Sequence, residues 1–280
     1  MAANFWTSTQ LKWLMPKERL LRCQQEDRAK GLLESHIQQL KVYFTQYIYD
    51  MANSIKLRQR VAATAVVYFR RLCAGSSFSR HDPHLVAPGC LYLASKVEES
   101  VVAAKLLLAS MKRLRPGWQY ELKDLLDMEM VILDELDTHL VVFSPYLSLT
   151  KILESDAQLA DLGQNAWAAL NDVYRTDAPI IYAPHVLALG CLYLASVICS
   201  RDITAWLEGV DVDTNQIYAV ALELISMYES YRVPISQEEC ARLLAVVRPP
   251  SAQQPTAAQL PPAGAGGSAA AGAAAGVQQQ

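Results

Sequence analysis

The thirteen residues Pro83-His84-Leu85-Val86-Ala87-Pro88-Gly89-Cys90-Leu91-Tyr92-Leu93-Ala94-Ser95 recur as Pro184-His185-Val186-Leu187-Ala188-Leu189-Gly190-Cys191-Leu192-Tyr193-Leu194-Ala195-Ser196. The offset is 101 residues and 10 of the 13 positions are identical, which argues that one structural unit occurs twice. Each copy is apolar almost all the way round a helix, so each predicts a buried central helix. Asp82 is placed to cap the first copy, with Pro83 at its first helical position. Pro88 lacks a backbone N–H, which predicts an irregular or kinked start. Beyond the echo the copies part. The first continues Lys96-Val97-Glu98-Glu99, the second Val197-Ile198-Cys199-Ser200. The second copy packs with no charge there, so the charge ending the first helix needs another reason.

Outward from this pair the chain reads as helices with short breaks. Ser35–Asn53 puts Ile37, Leu40, Phe44, Tyr47, Ile48 and Met51 on one stripe, and Leu57–Cys73 puts Leu57, Val61, Ala65, Tyr68, Phe69 and Leu72 on another. Val102–Leu114 is a fourth helix, stopped by Pro116-Gly117, and Gln119–Leu136 a fifth. Ser144-Pro145 opens a second unit, with helices expected at 145–159, 164–178, 184–199, 202–208 and 213–231, the last capped by Asp213. Ser236 and Glu239 form a capping box for a helix over 236–247. Ahead of the first unit, Phe5, Trp6, Leu11, Trp13, Leu14, Leu20 and Leu21 predict a helical arm over 8–28, broken or begun near Pro16. Such an arm must dock, on its own first unit or in part on a partner. After Arg248 no charged residue occurs, and Pro, Ala, Gly and Gln dominate, a composition expected to stay disordered. The expected organisation is an arm at 1–32, a first unit at 33–143, a second at 144–232, a C-terminal helix at 233–248 and a tail at 249–280. The fold class is all-α, two tandem five-helix repeats.

Composition narrows the function. Hydrophobic residues make up 52% of 280 residues, enough for real cores, and the formal net charge is −3. That charge argues against binding duplex DNA through a broad basic surface. No apolar run is long enough to span a membrane, and no signal peptide is expected, because Lys12, Lys17 and Glu18 interrupt the N-terminus. The six cysteines are scattered without a Cys-x-x-Cys pair, a pattern of reducing compartments. A phosphate-binding glycine loop, Gly-x-Ser-x-Gly and His-Glu-x-x-His are all missing from the sequence. His36, His81, His84, His139 and His185 are spread out. No catalytic residue, metal site or cofactor is expected.

On the fifth helix Leu122, Leu126, Glu129, Leu133 and Leu136 fall on one stripe, with a carboxylate in its middle. Buried alone, that carboxylate would be costly, so it needs a cation or hydrogen bonds. Lys96 is the natural candidate. A snorkelling lysine and a surface glutamate that never meet is the other reading.

Two tandem five-helix bundles around buried central helices resemble the cyclin fold. Leu93-Ala94-Ser95-Lys96-Val97-Glu98-Glu99 resembles the cyclin-box signature, and Met128-Glu129 stands where that family has its partner glutamate. The likeness covers residues 1 to about 247. Asn4-Phe5-Trp6, Lys56-Leu57-Arg58-Gln59, Ala63-Thr64-Ala65, Val67-Tyr68-Phe69 and Asn171-Asp172-Val173-Tyr174-Arg175-Thr176-Asp177 are similar to the transcriptional branch that serves the Mediator kinase module. The resemblance implies an activating subunit with a nuclear location. Its partners would be a cyclin-dependent kinase and other subunits of that module, with no membrane and no sequence-specific nucleic acid. It implies that Lys96 and Glu129, with Glu99, Leu133 and Leu140, contact the kinase. Phe5, Trp6, Tyr174, Arg175 and Asp177 are candidate contacts to further partners. At Thr138 the family more often has an aromatic residue. Substrate-docking cyclins carry Met-Arg-Ala-Ile-Leu where this chain has Leu40-Lys41-Val42-Tyr43-Phe44, and a tryptophan where it has Tyr47, so Arg-x-Leu docking is not expected. Nor does the sequence contain an Arg-x-x-Leu destruction signal. A two-repeat general transcription factor core is the alternative, but Cys23 is the only cysteine before Cys73, which leaves no N-terminal zinc ribbon. A cyclin-like scaffold that binds no kinase is the other.

Overall fold

A computed structural model describes residues 4–115, 117–230 and 233–248. The expected tail at 249–280, and Pro116 of the expected helix stop, lie outside the described residues. The described chain is helical, with no strand among those residues. None of its helices is long and apolar enough to cross a membrane.

The arm differs most from expectation. Two short 3-10 turns, Phe5–Thr7 and Thr9–Trp13, precede α1 (Lys17–Cys23) and α2 (Gln25–Ala29). Pro16 causes the break, since its carbonyl starts α1 by accepting from Arg19 and Leu20 N–H. The arm lies on both repeats. Met15 N–H donates to Ile180 carbonyl at 2.8 Å, Lys17 pairs with Glu223 at 3.2 Å, and Phe143 N–H donates to the buried Gln10 side chain.

The first repeat comprises α3 (Glu34–Ser54), α4 (Gln59–Gly75), α5 (Pro83–Val97), α6 (Ala104–Leu114) and α7 (Leu122–Glu135). The second comprises α8 (Pro145–Ser155), α9 (Gly163–Val173), the short α10 (Ala178–Ile181), α11 (Pro184–Ile198), α12 (Thr204–Glu208) and α13 (Thr214–Ser230); α14 (Gln237–Val247) closes the chain. The echoed helices α5 and α11 are the hubs: α3, α4, α6 and α7 surround α5, while α8, α9 and α13 surround α11. Asp82 caps α5 by accepting from His84 N–H, and the helix runs unbroken through Pro88. Asp213 accepts from Asn215 N–H and Ser236 from Glu239 N–H, as their spacing predicts. Ser144 occupies the cap position of α8 without a side-chain cap bond.

The echo extends beyond the matching letters. A Cβ added at Gly89 would sit 2.7 Å from Ile132 Cδ1, and one at Gly190 2.6 Å from Val220 Cβ. In both repeats the glycine therefore lets the last long helix cross close to the hub. Both hubs end in the same way. Glu99 and Ser200 each take φ +53°, and the next residue's N–H reaches back five residues, Ser100 to Ser95 and Arg201 to Ser196, each at 2.8 Å. This is a Schellman ending, built twice although the sequences after Ser95 and Ser196 share nothing.

Two expected helices end early. That at 145–159 stops at Ser155 and continues as a 3-10 turn over Ala157–Leu162. That at 164–178 splits into α9 and α10. Pro179 explains the split, because it has no N–H to give to the carbonyl of Arg175. The Arg70 guanidinium donates to that carbonyl instead, at 2.5 Å.

Candidate functional site

The end of α5 and the middle of α7 bring Lys96 and Glu129 together. Lys96 Nζ donates to both carboxylate oxygens of Glu129, at 2.7 and 2.8 Å. The Lys96 side chain is 40% exposed and that of Glu129 10%. Beneath the ammonium lies the ring of Tyr92, 4.3 Å from Nζ to centroid, a cation–π contact one turn back on α5. Burial alone would lower the Lys96 pKa, but hydrogen bonds to Glu129 and its charge outweigh it and hold the ammonium above its usual range. At the echo position Val197 has no charge and stands exposed, and Tyr193 packs against Tyr218 instead.

The stripe that drew attention to Glu129 is not the core face of α7. Leu125, Met128, Ile132 and Leu136 are buried, whereas Leu126 is exposed and Leu122 and Leu133 are half-buried. Glu129 thus lies on the shoulder between core and solvent. Within about a turn of the pair, Val97, Leu126 and Met130 are exposed apolar residues, as is Val101 just past the helix end. Glu98 is tied inward by Thr64 Oγ1 at 2.7 Å and by Arg60 at 2.5 Å, while Glu99 stays exposed. Leu140 is half-buried and its carbonyl accepts from Tyr68 Oη at 2.6 Å. Thr138 sits exposed in a turn at φ +55°. A cation and an anion holding each other at a half-exposed rim ringed by apolar side chains can grip a partner's backbone and bury apolar groups beside it.

The other candidate residues divide. Phe5 is half-buried edge-on to Phe143 at 5.8 Å between centroids. Trp6 remains 60% exposed beside the His185 ring. Arg175 is half-buried and donates to Gln46 at 2.9 Å. Tyr174 and Asp177 are buried, which corrects their expected role as partner contacts. Tyr174 stacks on Tyr146. Asp177 receives Lys41 Nζ at 2.9 Å, Arg70 Nη1 at 2.9 Å and Gln38 Nε2 at 3.0 Å. Burial would raise the Asp177 carboxyl, but the two cations overcome it and hold it well below the carboxylate range.

Sequence reading missed this joint between the repeats. Its signal was Arg70 beside Arg71 in the otherwise apolar run 65–74 of α4. Lys41 is therefore an internal residue, and α14 packs along α3 where the docking patch was sought, with Val42, Phe44 and Tyr47 buried. Arg71 is likewise inside. It donates to His139 carbonyl at 3.0 Å and lies over the ring of Trp13 at 5.3 Å.

Residues 4–141 match the family model described as "Cyclin, N-terminal domain". The chain is similar to Cyclin-C1-1 of Oryza sativa subsp. japonica, 43% identical over 236 residues, 83% of this chain and 91% of that one. The chain is a cyclin. Cyclin-C of Rattus norvegicus is 34% identical over 261 residues, 89% of this chain and 92% of that one. The cyclin's fold is also that of a chain in the structure of the CAK complex from Chaetomium thermophilum bound to ATP-gamma-S. That match has a TM-score of 0.69 and 17% identity, covering 88% of this chain and 89% of that one. As a cyclin it is a regulatory subunit of a protein kinase and not itself an enzyme.

Proposed function

We propose that this cyclin is the activating subunit of the kinase in the Mediator kinase module, acting in the nucleus on RNA polymerase II transcription. The observation that carries the reading is the Lys96–Glu129 pair: a charged clamp at an apolar rim, present in one repeat and replaced by Val197 in its echo. Support for the branch comes from the likeness to proteins named cyclin-C over most of the chain. Kinases need their regulatory helix turned inward so that its glutamate pairs with the lysine holding the ATP phosphates. A subunit that binds the inward form more tightly shifts the population by that difference in affinity. Lys96 and Glu129 grip backbone near that helix, with Glu99, Leu133, Leu140 and the exposed Val101 and Met130 as flanking contacts. Trp6 contacts the kinase or another module subunit. Affinity capture of the full chain from nuclear extract with mass spectrometry tests the reading. A cyclin-dependent kinase and module subunits, lost together from a Glu129→Lys bait, are expected. Recovery of promoter-binding factors with no kinase would overturn it.

A further inference from the structure

A second opening lies far from Lys96. A cavity of about 290 Å³ sits at the N-terminal end of α5, walled by Asp82, His84, Arg115, Trp118, Tyr120 and Arg248. The fourteen residues from Asp82 to Lys96, at a helical rise of 1.5 Å each, separate it from the pair by about 20 Å.

The polar groups of this wall are unevenly spent. Asp82 accepts from His84 N–H at 2.9 Å and from Tyr120 Oη at 2.5 Å. Asp124, also facing the cavity, accepts from Glu121 N–H at 2.7 Å. The donors are different. Trp118 Nε1 and His84 Nδ1 make no hydrogen bond to the protein, but both are closed off behind the wall, which leaves the arginines. Among the described residues none forms a hydrogen bond or ion pair with the Arg115 guanidinium. Arg248 uses Nη1 on the Ser79 carbonyl at 3.1 Å, with the rest of its fork left over. Burial lowers the His84 pKa to about 4, Asp82 opposes the fall and both arginines add to it, so the imidazole is neutral at pH 7 and both guanidinium charges reach it. A buried donor without an acceptor is costly. Two planar guanidinium forks with donors to spare suit an oxygen-rich dianion, which guanidinium groups bind bidentately.

We propose that this cavity binds the phosphate monoester of a phosphorylated peptide, with Arg115 and Arg248 as its charged clamps. A carboxylate brings one charge to two guanidinium groups, a phosphate monoester brings two. The cavity is larger than a bare oxyanion needs, and Ala241, Leu244 and Ala245 of α14 offer the rest of a peptide an apolar wall. The Asp82 and Asp124 carboxyl groups on the same wall weaken the hold, so modest affinity is expected.

Isothermal titration of the full chain with a capped alanyl-phosphoseryl-alanine peptide tests this, with the unphosphorylated peptide and inorganic phosphate as parallel arms. The phosphopeptide is expected to bind, the unphosphorylated one not, and inorganic phosphate more weakly than the phosphopeptide. Arg115→Ala and Arg248→Ala should each weaken binding at least about 10-fold, as loss of a hydrogen bond to a charged group implies. Arg115→Lys should recover only part. Arg248→Lys, likewise expected to recover only part, takes the place of an alanine variant that fails to give a wild-type circular dichroism spectrum. No binding at millimolar phosphopeptide would overturn the proposal. So would affinity unmoved by these substitutions, which means an adventitious ion only. Inorganic phosphate binding as tightly as the peptide would overturn the peptide as occupant.

Discussion

At Glu129 a single carboxylate decides between two states of the same surface. It is nearly buried and its hydrogen-bond partner is a cation, so reversing its charge sets two ammonium groups against each other at the rim. Glu129→Lys is expected to lower kinase affinity by at least about 100-fold, the roughly 3 kcal/mol typical of breaking a desolvated interfacial pair from one side. Lys96→Ala should cost less, about 1 kcal/mol, because the lysine is half-exposed and leaves Glu129 room to hydrate. Val197→Lys, at the echo position, should leave affinity unchanged. Titration against the purified kinase measures all three, once circular dichroism shows the helices intact; near-normal affinity of a folded Glu129→Lys variant sinks the clamp. The pair was legible in the sequence for a physical reason. One copy of a repeat did without the lysine, and the glutamate interrupted leucines. What the stripe could not tell was which side of α7 faces the core, since Leu125, Met128 and Ile132 form a second apolar row beside it.

Whole helices were legible because their apolar period is long and their stops are chemical. Asp82, Asp213 and Ser236 cap where their spacing says they should, and hub helices with a mostly apolar surface have nowhere to go but inside. The arm and α10 were less legible because Pro16 starts a new helix in mid-arm and Pro179 leaves the Arg175 carbonyl to a donor as distant as Arg70. The hub glycines make a test at this scale. At Gly190 an added methyl meets Val220 Cβ and, at 3.1 Å, the Ile217 carbonyl oxygen, neither of which can swing away. At Gly89 it meets the far end of Ile132 and the stem of Met128, which can turn. Overpacking costs about 1–3 kcal/mol, so Gly190→Ala should lie at the upper end and Gly89→Ala at the lower, as read by urea unfolding. Equal losses would mean that the two crossings respond alike and that the flexible neighbours of Gly89 give no relief. For the arm, Trp6→Ala should weaken assembly by about 1–2 kcal/mol, the loss of one aromatic anchor. The melting temperature should barely move, because most of that ring is already in water. A collapse of the melting curve would make Trp6 part of the chain's own core.

The molecule as a whole depends on how two similar bundles are joined, and the sequence hinted at that joint only through Arg70 and Arg71 in an apolar run, without naming their partners. Its partners come from α3, α4 and the turn before α10, with Arg70 and Asp177 separated by 107 positions. No periodicity links residues so far apart. Asp177 answers two buried cations, Lys41 and Arg70, so removing its charge strands both. Asp177→Asn keeps the shape and some hydrogen bonds but should destabilise the chain by about 3–5 kcal/mol, the usual consequence of breaking a buried ion pair from one side. Acid should reveal the same coupling. The folded carboxyl is held below its value in the unfolded chain, so its contribution is complete above the unfolded pKa of about 4 and fades as pH falls beneath it. Wild type and Asp177→Asn should therefore differ by a constant amount from about pH 7 down to pH 5 and converge below pH 4. Chemical denaturation across that range measures the gap. A gap that is small at neutral pH, or that stays constant into acid, would mean that Asp177 is not what clamps the second repeat to the first.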